Sequence, residues 1–190
     1  LNTSIIKNYS QFLINNKNEG IFMNGSTGDF VSLSIEERKQ LTLAWSKNKS
    51  KDLYLIDHVG DPSLKVAKEL AVYAADKVDA IAVLAPYYFK LNSIQKLVAY
   101  CKEVAACATN LPFYYYHIPI LSGANLTMVD FLKVASKEIP NLAGIKFTNN
   151  NLIEYLHCKN FENGKYNILF GFDEIFISSL PLGATGWVGS

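Results

Sequence analysis

The sequence is poor in cysteine. It has three, Cys101, Cys107 and Cys158, and none stands in a Cys-x-x-Cys pair. An odd number in a chain of 190 residues argues against a disulfide framework and for a reducing compartment. All three fall in segments of helical spacing, where a small buried thiol is the ordinary case. No charge of one sign dominates, since 18 Lys and Arg are balanced by 17 Asp and Glu. That balance argues against a nucleic-acid face and against an acidic-substrate channel. The one basic cluster, Lys47-Asn48-Lys49-Ser50-Lys51, sits between a predicted helix and a predicted strand and reads as a solvated loop. No apolar run reaches the ~20 residues that a membrane-spanning helix needs. No signal-peptide pattern opens the sequence. The expectation is a cytoplasmic protein with no membrane or nucleic-acid partner. The N-x-S/T triplets at Asn2, Asn8, Asn24, Asn48 and Asn125 are then chance matches in an Asn-rich chain. No low-complexity stretch or linker divides the sequence, so one domain is expected over residues 1–190.

What is present is a well-filled globular composition, 49% hydrophobic. Apolar residues Ile5, Ile6, Tyr9, Phe12 and Leu13 recur at helical spacing to about residue 16. A short apolar strand follows at 20–24. Ser34 and Glu37 form a capping box that opens a helix to about Lys47. Strands are predicted at 53–57, 80–85, 112–117, 142–149, 167–172 and 184–189. Helices are predicted between them: from Asp61-Pro62, from Ser93 to about 108, from a Thr127–Asp130 cap to Glu138, at 151–158 and at 174–182. Strict alternation of strand and helix implies an α/β protein with a parallel sheet. Seven strand units in one unbroken series predict a TIM (β/α)8 barrel, with the first strand and everything from the eighth helix onward missing from this chain.

One stretch is chemically odd. Leu142-Ala143-Gly144-Ile145-Lys146-Phe147 places an amine in an apolar strand. A strand apolar on both faces belongs to a parallel sheet covered on both sides. A buried amine is disfavoured in its charged form, so its pKa falls and it becomes a nucleophile near neutral pH. The alternative is that Lys146 sits at the strand end and reaches water with its head. Barrel active sites lie at the C-terminal ends of the strands. Polar residues gather there: Ser26 and Thr27, Asp57 and His58, Tyr87 and Tyr88, Tyr116 and His117, Lys146 and Thr148, Asp173 and Glu174, and Ser190. Gly25-Ser26-Thr27-Gly28 offers two hydroxyls and turn amides that suit a carboxylate or a phosphate. It lacks the Gly-Lys-Ser/Thr ending of a P-loop, so it does not read as a nucleotide site. Along the 112–117 strand, Tyr114 and Tyr116 share one face, and Tyr115 and His117 the other. A phenol beside a cationic imine can relay protons.

Four stretches then carry a resemblance, in order along essentially the whole chain. They are Gly25-Ser26-Thr27-Gly28-Asp29 with Ser34-Ile35-Glu36-Glu37-Arg38, Tyr116-His117-Ile118-Pro119-Ile120-Leu121-Ser122-Gly123, Gly144-Ile145-Lys146-Phe147-Thr148, and Gly171-Phe172-Asp173-Glu174. Together they resemble the dihydrodipicolinate synthase family of Schiff-base aldolases, and within it the members that cleave sialic acid. The resemblance implies a carbon–carbon lyase that converts N-acetylneuraminate to N-acetylmannosamine and pyruvate with no metal and no cofactor. By the same resemblance, Lys146 forms the Schiff base with the keto carbon of sialic acid or pyruvate. Ser26 and Thr27 hold the pyruvyl carboxylate, and Tyr116 shuttles the proton. Thr148, Gly171, Asp173, Glu174 and Ser190 line the sugar side. Tyr88 matches a tyrosine lent to a neighbouring subunit, which implies a homotetramer. The synthase branch carries an arginine five residues after the catalytic tyrosine, where this sequence has Leu121. A polyhydroxy sugar therefore fits better than an amino-acid semialdehyde, and carboxylates at 173 and 174 accept bonds from sugar hydroxyls. Asp29 departs from the family's usual glutamate, and the missing barrel elements depart further.

Three alternatives stay open on the residues alone. A metal-dependent aldolase or hydrolase would use Asp57, His58 and His117, although Asp57 and His58 should point to opposite faces of a regular strand. A related pyruvate-dependent aldolase would act on another 2-keto-3-deoxy acid. A truncated form would bind without catalysing, because an unclosed barrel exposes two sheet edges.

Overall fold

The computed structural model describes residues 1–51 and 53–190. Six strands form one parallel sheet in sequence order: β1 Gly20–Met23, β2 Tyr54–His58, β3 Ala80–Leu84, β4 Phe113–His117, β5 Leu142–Phe147 and β6 Asn167–Phe170. The helices are α1 Ile6–Asn15, α2 Ile35–Lys47, α3 Leu64–Ala74, α4 Ile94–Ala105, the single turn α5 Pro119–Ser122, α6 Met128–Glu138, α7 Leu152–Asn160 and the short α8 Phe176–Ser179. The strands curl into part of a (β/α)8 barrel, with β1 and β6 at its two edges.

Each strand alternates between two environments, as a period of two requires. Leu55, Ile81, Val83, Phe113, Tyr115, Ile145, Phe147, Ile168 and Phe170 point outward and build the main core with the helices. Burying each such side chain contributes ~1.5–3 kcal/mol, so this layer carries most of the stability. The inward positions are different in kind. Ile56, Ala80, Ala82 and Tyr114 form one small inner cluster, joined by Phe22 and Leu169 from the two edge strands. Phe30, Leu84, Tyr116 and Ile118 form a second, nearer the C-terminal ends. Alanine and glycine on the inner face of β3 and β5 leave the room that Tyr114, Tyr116 and Lys146 occupy.

The capping box predicted for α2 is present. Glu37 N donates to Ser34 Oγ at 3.2 Å, and Ser34 N to Glu37 Oε2 at 2.9 Å. Other boundaries differ from expectation. Asp61-Pro62 does not open α3. Asp61 Oδ1 accepts from Ser63 N at 2.8 Å, and the helix begins at Leu64, two residues after Pro62. Thr127 makes no side-chain cap on α6. Met128 N instead donates to Glu154 Oε1 of α7 at 2.6 Å, while Asp130 pairs with Lys133. A neighbouring helix has replaced a local cap, which sequence spacing does not reveal. The helix expected over 174–182 breaks into a 3-10 turn, Asp173–Ile175, and α8. Pro181 and the positive φ of Gly183 (79°) end it early. The seventh strand, expected over 184–189, shrinks to one parallel bridge between Trp187 and Phe170. Its bonds are Phe170 N to Gly186 O at 2.9 Å and Val188 N to Phe170 O at 2.8 Å. A segment carrying Gly183, Gly186 and Gly189, paired on one side alone, gains too little to set a full ladder. On α1, Ile6 is buried while Ile5, Tyr9 and Phe12 stay exposed.

Gly144 is fixed by close approach. It pairs with Asn167 across β5 and β6, and a Cβ there would run into the Asn167 backbone oxygen. Backbone cannot step aside as a side chain can. Gly144→Ala is therefore expected to lower the free energy of unfolding by about 2–3 kcal/mol, read as a fall in the urea midpoint. An unchanged midpoint contradicts this packing.

Candidate active site

The site is built on the pairing of β4 with β5. Their register sets Tyr116 directly against Lys146, and β6 sets Leu169 on the other side. Because Ile145 and Phe147 turn outward to the helices, Lys146 turns inward. Its side chain does not run out to water, being 7% exposed. The Nζ lies 4.0 Å from the centroid of the Phe22 ring and 4.1 Å from that of Tyr116. Two aromatic faces favour the ammonium form, and so does the negative charge of Asp173. Burial opposes both and prevails, bringing the Lys146 pKa from 10.5 down to about 8. Burial also raises the Tyr116 phenol above its ordinary value, against the hydrogen bond from the Ser26 side. The resting site thus holds a phenol beside an amine that is easily deprotonated.

The turn after β1 reaches this pair from above. Ser26 Oγ lies 3.3 Å from the Tyr116 hydroxyl, and Thr27 Oγ1 lies 2.9 Å from Ser190 Oγ. Ser190 N donates to Asp173 Oδ2 at 2.8 Å. These contacts tie the end of β1 to the segment after β6 across the mouth of the curled sheet. Thr148 completes the wall. Its N–H donates to His117 O at 2.8 Å, and its buried hydroxyl stands beside the Tyr116 phenol. Gly171 is small because it must be: a Cβ there would run into the Thr148 hydroxyl and come within 3.3 Å of Lys146 Cε.

Beneath the turn is a polar layer. Asn24 adopts a positive φ of 54°. Its Nδ2 donates to Asp57 Oδ1 at 2.8 Å, and Thr42 Oγ1 donates to Asp57 Oδ2 at 2.6 Å. Asn24 O accepts from His58 Nδ1 at 2.8 Å, and His58 Nε2 accepts from Leu84 N at 3.2 Å. A carbonyl only accepts and an amide N–H only donates, so His58 is the neutral Nδ1–H tautomer. Full burial holds its pKa well below 6.5, in keeping with that form. Its ring packs among Phe22, Phe30 and Tyr116. Burial pushes Asp57 up to about 6, against the Thr42 and Asn24 bonds and the charge of Arg38. Arg38, the sole arginine of the chain, donates to His58 O at 2.6 Å and to Gly60 O at 3.1 Å.

The structure therefore brings together Lys146, Tyr116, Ser26, Thr27, Thr148, Gly171, Asp173 and Ser190. It does not bring in two predicted residues. Glu174 is exposed on the turn Asp173–Ile175 and bonds to none of the others. Tyr88 is exposed on the loop after β3, edge-on to the equally exposed Phe89. The three residues of the metal alternative are kept apart. Asp57 faces α2, His58 faces the barrel interior, and His117 lies in the outer layer beside Tyr115 and Phe147. Among the described residues no three His, Cys, Asp or Glu side chains form a group that could hold a metal ion. Sequence reasoning missed Phe22, the ring under the amine. Its one signal was its place two residues before Asn24 on the inward face of β1. It also missed Asn24 and Arg38, whose partners are distant in sequence.

A curled parallel sheet with a desolvated lysine on its inner face, near the C-terminal strand ends, defines a lysine-centred (β/α) barrel protein. The chain belongs to the Dihydrodipicolinate synthetase family, whose sequence model matches residues 1–190. It is 40% identical over 194 residues to N-acetylneuraminate lyase of Rattus norvegicus, covering 100% of this chain and 61% of that protein. It is 41% identical to N-acetylneuraminate lyase of Homo sapiens, with the same coverage. Among solved structures, N-acetylneuraminate lyase of Proteus mirabilis superposes with a TM-score of 0.97 at 38% identity, covering 100% of this chain and 64% of that one. The sialic acid aldolase of Aliivibrio salmonicida also superposes at 0.97 and 38%. The chain spans about three-fifths of the length of the curated relatives it matches.

The depressed pKa of Lys146 has a sign for stability. Below about 8 the folded state must hold a buried cation, whereas the unfolded chain carries it in water up to 10.5. Lys146→Met removes that cost and is expected to raise the unfolding free energy at pH 7 by about 1–3 kcal/mol. The advantage should shrink as pH rises from about 8 to 10.5, where the folded amine is neutral. Urea titrations at pH 7 and pH 10 measure both. A variant less stable than the parent at pH 7 contradicts it.

Proposed function

We propose that this protein is a class I lyase that cleaves N-acetylneuraminate to N-acetylmannosamine and pyruvate through a Schiff base on Lys146. One observation carries the reading: a desolvated amine over two aromatic faces, beside a phenol that reaches a Ser-Thr turn. The family membership and the similarity to sialic acid lyases support it. The neutral Lys146 amine attacks the C2 ketone of the open-chain sugar acid, and loss of water leaves a protonated imine. Ser26 and Thr27 hold the carboxylate. Tyr116 takes the C4 hydroxyl proton and passes its own on to the substrate carboxylate, which suits a phenol kept protonated by burial. The C3–C4 electron pair flows into the imine, N-acetylmannosamine leaves, and the enamine is protonated at C3 and hydrolysed to pyruvate. Thr148, Gly171, Asp173 and Ser190 line the sugar side, and Glu174, exposed on the turn beside Asp173, meets the sugar only at the open end of the site. Tyr88 serves a neighbouring subunit's site, in a cytoplasmic homotetramer. Its exposure beside Phe89 supports that role.

The open edges of the sheet support a second reading, in which the chain forms the imine but does not turn over. Borohydride with pyruvate is expected to add a covalent mass to Lys146 of the folded chain, and its absence would sink the proposal. Trapping should rise with pH through about 8 and level off above it. Tyr116→Phe should lower sialic acid cleavage by about 10²–10⁴-fold while Lys146 still traps pyruvate. Activity should survive EDTA. Trapping without cleavage selects the second reading, and faster cleavage of another 2-keto-3-deoxy acid corrects the substrate.

A further inference from the structure

Asp57 is a buried carboxylate for which the proposed reaction has no task. It is 3% exposed, on the outward face of β2, level with Met23 of β1. The comparable outward positions Leu55 and Ile81 are apolar and belong to the main core. A carboxylate in such a place is costly unless its bonds return something specific.

What the carboxylate holds is Asn24. The Asn24 amide donates to Oδ1, and the Thr42 hydroxyl of α2 fixes Oδ2. Asn24 has the left-handed backbone that L-residues other than glycine adopt reluctantly. Its side chain is tethered by Asp57 and its carbonyl by His58. The peptide entering Gly25-Ser26-Thr27-Gly28 is thus gripped from the outer face and from the inner one. That entry directs Ser26 to Tyr116 and Thr27 to Ser190. Lys146 bonds to none of these tethers and meets them only through the Phe22 and Tyr116 rings that hold it.

We infer that Asp57 is a positioning residue, which sets the Ser26–Thr27 carboxylate site through Asn24. The inference deepens the proposed lyase reading and rests on it. It predicts that losing the tether weakens carboxylate binding and leaves the lysine chemistry intact.

The test is borohydride inactivation by pyruvate in the full chain, with hydrogen–deuterium exchange of the amides at 25–28. Asp57→Ala should raise the half-saturating pyruvate concentration by about ten-fold, leave the limiting rate within about two-fold, and speed exchange at 25–28. Asp57→Asn should restore all three to near parental values, since its amide can donate to Thr42 while its oxygen accepts from Asn24. Where Asp57→Ala does not fold, Asn24→Gly replaces it, because glycine keeps the positive φ and loses only the tether. It should show the same rise. Unchanged half-saturation and exchange overturn the inference, as does an Asp57→Asn variant as impaired as Asp57→Ala. If the parent is not trapped at all, the lyase reading fails. The exchange data then decide separately whether Asp57 holds the turn.

Discussion

An amine must leave water to become reactive here, and the rest of the structure serves that burial. Lys146 is kept from solvent by Phe22 from one edge strand and Tyr116 from the middle of the sheet. Each ring presents its face to the amine. The π faces return part of the lost solvation, and Asp173 returns a little more at a distance. What is left is a group poised near pH 8, where a tenth or so of the amines are neutral at pH 7 by ordinary titration. An unburied lysine would offer a few hundred-fold less.

That arrangement depends on a division of labour between the two faces of the sheet. The outward face packs large residues against helices and supplies stability. The inward face is filled by small residues with a few large aromatic ones, and it supplies the site. Gly144 shows the cost of the arrangement, since β5 and β6 approach there too closely for any side chain. Gly171 makes the same concession for the Thr148 hydroxyl and the Lys146 stem. The mouth is then tied by side chains and not by sheet bonds, with Thr27 meeting Ser190 and Ser190 meeting Asp173.

Much of this was legible in sequence. Alternation at period two and at helical spacing located all six strands to within a residue or two, and the capping box of α2 was read correctly. The inward pairing of Tyr114 with Tyr116 followed from the same period. Two of the failures have a non-local origin, and the third lies in residues of its own segment. The α6 cap, the short α8 and the lost seventh strand were each judged from local residues. They were decided by Glu154 of another helix, by Pro181 and Gly183 together, and by pairing on one side only. Asn24 looked like the end of a strand. Its role is visible only when Asp57 and His58 stand next to it.

The residues alone determined that a parallel α/β sheet forms, that Lys146 is an amine in an apolar strand, and that hydroxyls and phenols gather at the strand ends. Those properties follow from periodicity and side-chain chemistry, which are local. Tertiary structure decided which of the polar residues meet. It put Phe22 under the amine, joined Ser26 to Tyr116 and Thr27 to Ser190, and left Tyr88 and Glu174 outside. It also decided how far the lysine titration shifts, because desolvation is set by neighbours drawn from separate strands. Contacts between residues 90 and 163 positions apart depend on strand register and sheet curvature. No local pattern encodes either.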